Sequence, residues 1–162
     1  HYPERLKTLT SIMSTTGSPD LPPPTPEAMK TLTTPVPTDR QKYIENFVAT
    51  SRVFSGPEYP IDVDHIKRKA ALSYDRSFYP AGFTRQYAAI MASGSRKEEL
   101  NSVRIPALVI HGGADPLVPV ECGIETADSI PGAKLKIIEG WGHDLPRKVW
   151  PLLIEAIAKH AH

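Results

Sequence analysis

The sequence predicts an α/β protein in which the parallel strands of one sheet are interrupted by a long helical insertion. Three observations carry that expectation. Ala107-Leu108-Val109-Ile110 is an unbroken apolar run, which suits a strand covered on both faces of a parallel sheet. A helix-length stretch and a second apolar run at 135–138 follow it, and a strand-helix-strand crossover of this kind is right-handed and lays its two strands side by side. Residues 15–102, by contrast, have helical periodicity, are punctuated by proline and carry little strand signal.

In chain order, His1-Tyr2-Pro3-Glu4-Arg5 reads as a helix end and a proline turn leading into a strand. Leu6, Leu9, Ile12 and Met13 fall in or near that strand, and β-branched Thr8, Thr10 and Ile12 favour it. Seven prolines between Pro19 and Pro37 then mark a composition break. A stiff hinge leading out of the sheet is the expected reading, with a polyproline ligand as the alternative. Thr25-Pro26-Glu27 supplies an N-cap, a first-turn proline and a first-turn acid for a short helix through Leu32.

Thr38 followed by Gln41 has the spacing of a capping box. Tyr43, Ile44, Phe47 and Val48 then recur at helical steps until Ser55-Gly56-Pro57. Asp62 is the next N-cap, opening a helix whose stripe is Val63, Ile66, Ala70, Tyr74 and Phe78. Lys67-Arg68-Lys69 lies largely off that stripe and reads as a solvated face rather than a nucleic-acid patch. After Pro80-Ala81-Gly82, a fourth stripe of Phe83, Tyr87, Ile90 and Met91 ends at Gly94, a C-cap glycine. Ser95 to Glu98 is a second capping box, opening a short helix through Leu100. The whole insertion is expected to pack on the sheet as a cap, leaving a cleft for a substrate.

Beyond Ile110, His111-Gly112-Gly113 ends the strand and Asp115-Pro116 sets a turn. Val120 to Ile130 is the crossover helix, closed by Pro131-Gly132. Leu135, Ile137 and Ile138 alternate partly with lysines, the pattern of an exposed edge strand. The last helix begins near Pro146–Lys148 and runs to Lys159 with a wide apolar face. Neighbouring parallel strands lie ~4.8 Å apart, so the loops after Ile110 and Ile138 emerge together at the carboxyl ends, where open α/β sheets place ligands. Asp115 and His143 are therefore expected to meet. A carboxylate on one imidazole nitrogen fixes the tautomer and frees the other nitrogen as a general base. Asp144, adjacent to the histidine, and Glu139 are the rival acids; the other histidines have no comparable setting. Trp141, in a glycine-flanked loop two residues before His143, is the candidate for substrate contact.

HGGADPLVP followed by GWGHDLP resembles the acid-and-histidine end of the α/β-hydrolases, in particular the capped esterase and proline-iminopeptidase-like group that includes aclacinomycin methylesterase. The resemblance implies that Asp115 is the triad acid and His143 the triad histidine, in the family's order of nucleophile, acid, histidine. It implies a sheet strand over 1–14, a proline-rich hinge and helical cap over 15–102, and the C-terminal core over 103–162, the last three strands of the family's sheet. The family's nucleophile occupies a G-x-S-x-G elbow, a pattern that does not occur in this sequence. Ser93-Gly94-Ser95 lacks the flanking glycines and lies between helices, and His111-Gly112-Gly113 sits in the strand before the acid rather than at an oxyanion site. With His at position 1 instead of Met, the expectation is a fragment whose nucleophile lies upstream, inactive alone, with its first strand exposed to self-association or to the absent half.

The implied chemistry is hydrolysis of an ester or related acyl bond in a small apolar substrate. The same Asp-His pair with an Asp nucleophile would serve an epoxide hydrolase or haloalkane dehalogenase, and a non-catalytic binding module is the alternative from another class. A net charge of +1 over 162 residues argues against nucleic acid as a main partner. The single cysteine, Cys122, allows no intrachain disulfide, and no apolar run approaches the ~20 residues a membrane span needs. No histidine, cysteine or acidic cluster has metal-ligand spacing, so neither metal nor cofactor is expected. A cytoplasmic location is expected, with a secretory leader left open by the start at His1.

Overall fold

The computed structural model describes residues 2–162, and the helix-end reading of His1 lies outside them. Its sheet has three parallel strands in the order β1 (Leu9–Ile12), β2 (Ala107–Gly112) and β3 (Lys134–Ile138). Leu9 stands opposite Ala107 and Ile12 opposite Ile110, while Leu108 pairs with Lys134 and Gly112 with Ile138. The central strand is buried along its whole length, as its unbroken apolar run requires, and β3 is exposed at Lys134 and Leu135, as an edge strand should be.

Side chains on β2 alternate between two helical layers. Leu108 and Ile110 join Ile138, Trp141, Val149 and Leu153 in the core beneath α7 (Trp150–Ala161). On the other face, the His111 ring lies against Gly123 of α6 (Val120–Asp128), where a β-carbon would come within 2.4 Å of Nδ1. Only glycine lets helix and imidazole approach this closely.

Five helices separate β1 from β2. Thr25 caps α1 (Pro26–Thr33) by accepting from Ala28 N–H. α2 (Arg40–Phe54) and α3 (Val63–Arg76) form a hairpin that buries Ile44, Val48 and Ala70. Tyr43, Tyr74 and Phe78 form an aromatic cluster across it, and Arg40 grips Asp75 with two hydrogen bonds of 2.7 Å. Asp62 caps α3 as its position implies, but α2 is capped by Asp39, one residue after Thr38: its carboxylate accepts from Lys42 N–H, and Thr38 instead offers its carbonyl to the Tyr74 hydroxyl. The second capping box also differs. α5 (Lys97–Leu100) starts after Arg96, with only a bond from Lys97 N–H to Ser95 Oγ and no side-chain cap at its N-terminus.

The largest departure concerns α4 (Pro80–Ser93). Gly94 ends it with φ +63°, but none of its residues is buried, and Phe83, Ile90 and Met91 are 43%, 56% and 67% exposed. The stripe exists and finds no partner among the described residues. A patterned face is a demand for a partner and does not supply one.

The two limbs of the insertion are clasped where they leave and rejoin the sheet. Arg96 N–H donates to Thr16 O, the Arg96 guanidinium to Thr15 O, and Glu125 on α6 accepts from both Thr16 and Lys97. No helix among the described residues is long and apolar enough to cross a membrane.

Candidate active site

Asp115 lies in the turn that follows β2. Its Oδ1 accepts from Leu117 N–H at 2.9 Å and from Val118 N–H at 2.8 Å, a turn that its own proline, Pro116, preorganises. Its carboxyl group is shut away from solvent, and Oδ2 lies 2.7 Å from His143 Nδ1. A carboxylate accepts only, so Nδ1 carries the proton and Nε2 keeps its lone pair. Among the described residues Nε2 makes no hydrogen bond, and the imidazole, 26% exposed, borders a cleft.

His143 is held from the insertion. Its N–H donates to the carbonyl of Phe54, the last residue of α2, at 2.7 Å, and the Phe54 ring meets the imidazole edge-on at 6.5 Å. The contact needs two glycines. A β-carbon on Gly56 would lie 2.0 Å from Gly140 O, and one on Gly142 would lie 2.2 Å from Phe54 O. The histidine loop and the α2–α3 turn thus meet backbone to backbone.

The cleft has a volume of about 570 Å³. Phe47, Phe54, Ile61 and Ile66 from the insertion face Met13, Leu145 and Pro146 from the sheet side, and polar groups stand around them. Apolar walls with polar groups converging on them are the composition of a small-molecule site.

The expected pair is therefore brought together. Trp141 is not where a substrate contact would have it. Its side chain is completely buried, it belongs to the core beneath α7, and its indole N–H donates to Asp144 O at 2.8 Å. It shapes the histidine loop from below because the loop turns its apolar side inward. Neither rival acid contacts the imidazole nitrogens: Glu139 is exposed beside Gly113, and Asp144 borders the cleft. Burial pushes the Asp144 carboxyl up to about 6, and its Oδ1 is enclosed without a hydrogen-bond partner among the described residues.

Two residues escape the sequence reading. Phe54, six residues beyond Val48 at the end of the apolar stripe of its helix, supplies the carbonyl that holds His143. His111, in sequence an ordinary strand residue, is completely buried; its Nε2 donates to Val118 O at 2.8 Å and lies 3.7 Å from Asp115 Oδ2. The four-residue step from His111 to Asp115 is the signal that could have found it. No group of three or more histidine, cysteine or acidic side chains among the described residues is placed to hold a metal ion.

A parallel sheet carrying an acid after one strand and a histidine after the next, with helices inserted upstream, is the arrangement of the C-terminal part of an α/β-hydrolase, and the chain has that fold. It is 31% identical to rhodomycin D methylesterase DnrP of Streptomyces peucetius over 134 residues, which cover 83% of this chain and 45% of that enzyme. The chain thus spans less than half the length of this relative. Among solved structures, it superposes with a TM-score of 0.71 on 2-hydroxy-6-oxo-6-phenylhexa-2,4-dienoate hydrolase from Rhodococcus sp. strain RHA1, at 20% identity, covering 98% of this chain and 56% of that one. A bromoperoxidase from Bacillus anthracis gives a TM-score of 0.66 at 23% identity, covering 96% and 58%. No family model matches the chain.

Proposed function

We propose that this chain supplies the acid and base of a hydrolase that cleaves an ester of a small, largely apolar acyl compound. The observation that carries the reading is the 2.7 Å contact between Asp115 Oδ2 and His143 Nδ1, with Nε2 left unbonded at the cleft. In the proposed reaction His143 Nε2 takes the proton of a nucleophile as it attacks the ester carbonyl and returns it to the departing alkoxide; it then takes a proton from the water that attacks the acyl-enzyme and returns it to the nucleophile as the acid is released. Asp115 holds the ring in the required tautomer and stabilises the imidazolium between the two steps. The helical insertion acts as the cap, and its apolar wall takes the acyl group. The relative named as a methylesterase supports an ester over other acyl bonds.

No G-x-S-x-G elbow occurs in the sequence, so the proposed nucleophile comes from outside these residues and the chain alone is inactive. His143→Ala in the full-length protein should lower kcat on short aryl and alkyl esters by about 10⁴-fold, with an unchanged circular dichroism spectrum. Ester turnover by that variant at the wild-type rate would sink the assignment.

A further inference from the structure

Two acidic groups border the cleft; Asp62 is engaged in capping α3, whereas Asp144 is left unused by the proposed proton transfer, and its surroundings point to a ligand. Its Oδ1 is enclosed and has no hydrogen-bond partner among the described residues, and leaving a buried acceptor unsatisfied is costly. Its backbone carbonyl accepts from the Trp141 indole, which anchors this part of the loop. Being next in the chain to His143, its Cα lies ~3.8 Å from that of the base. Both side chains border the same cleft, so a group satisfying Asp144 would share it with an ester presented to His143.

Charge narrows the donor. The groups bordering the cleft are Asp62, His65 and Lys69 from α3, and His143, Asp144, Arg147 and Lys148 from the histidine loop, whereas α2 contributes only Thr50 and Ser51 as polar neighbours. Three lysine or arginine cations against two carboxylates oppose the entry of an ammonium group. A neutral donor meets no such opposition, and a hydroxyl is the smallest one that a mostly apolar cleft accommodates.

We propose that Asp144 is a substrate-recognising residue, and that the acyl group of the substrate carries a hydroxyl close to the ester carbonyl, donated to the Asp144 carboxyl. The proposal rests on the ester-hydrolase reading above. Burial supports it further, since it takes water from the charged carboxylate and pushes the group up to about 6, where a donated hydrogen bond is more valuable.

The test uses the full-length protein and two matched pairs of probes, methyl mandelate with methyl phenylacetate, and mandelamide with phenylacetamide, which differ only by the hydroxyl. Wild type should favour methyl mandelate in kcat/KM by about tenfold or more. Asp144→Ala should lose most of that preference, with a much larger loss on the hydroxylated ester than on its partner. Asp144→Asn, which keeps a carbonyl acceptor, should retain part of it. No wild-type preference, or an equal proportional loss on both esters, would overturn the proposal and leave Asp144 as a support of the loop. Should neither ester be turned over, calorimetric binding of the two amides decides. Tighter mandelamide binding that Asp144→Ala abolishes would keep the recognition while the hydrolase reading falls, and equal binding would end both.

Discussion

Asp115 and His143 touch, yet they are held by opposite means. The acid is fixed locally: both hydrogen bonds to its Oδ1 come from residues two and three positions ahead, in a turn that directly follows the central strand. The histidine is fixed at long range, by a carbonyl at the end of α2 and by glycines that let the α2–α3 turn lie against its loop. Half of the pair therefore belongs to the sheet, and half depends on the helical insertion being docked. The insertion thus does more than wall the cleft, because it also places His143, the proposed base.

The largest effect should come from the locally fixed side. Asp115→Asn keeps the size of the side chain and an oxygen for the Leu117 and Val118 amides, so the turn should survive. Its amide nitrogen, however, would face Nδ1 as a donor and force the proton onto Nε2, where the base is needed. In the full-length protein kcat should fall by about 10³–10⁴-fold while the melting temperature moves little. A drop in both together would show that the carboxylate is chiefly a structural element of the turn.

On the other side, the sensitive position is far from the chemistry in sequence. Gly56→Ala puts a methyl group into the space of Gly140 O and should push the α2–α3 turn off the histidine loop. Overpacking of this kind costs about 1–3 kcal/mol, and a displacement near 1 Å of the base lowers turnover by about 10²-fold. Stability and kcat should fall together, unlike in Asp115→Asn. Unimpaired turnover in a destabilised Gly56→Ala would mean that His143 keeps its place without the insertion.

The same contrast explains what the sequence reveals. The strands around the site, their parallel order and the meeting of Asp115 with His143 follow from short-range patterns: an apolar run, a turn proline and one crossover helix. Long-range contacts leave no such mark. Phe54 acts through its backbone carbonyl, which every residue has, and Gly56 reads as a helix stop as readily as a docking point. Trp141 departs from expectation because a glycine-flanked loop says that the chain turns, without saying which side of it faces the core. For α4, the stripe of Phe83, Tyr87, Ile90 and Met91 predicts a helix correctly and burial incorrectly, since periodicity reports the helix and not its neighbour.

The histidine loop should also betray itself through pH. Burial holds the Asp144 carboxyl near 6 in the folded protein, above its ordinary value of 3.8. The folded state therefore binds this proton more tightly than the unfolded chain does. The stabilisation is fully present below about pH 4 and is lost as the pH rises through about 6. Because the residue is only partly buried and Lys69 and His143 favour its charged form, screening limits the effect to about 1–2 kcal/mol. Asp144→Asn has no proton to lose, so its melting temperature relative to wild type should rise between pH 4 and pH 7, even where the substitution is destabilising at the acid end. Thermal unfolding of the two proteins in parallel checks this, all other titrating groups being shared. A difference that stays constant across that range would mean that the Asp144 carboxyl is solvated after all, and the enclosed Oδ1 would then exert no demand on a substrate.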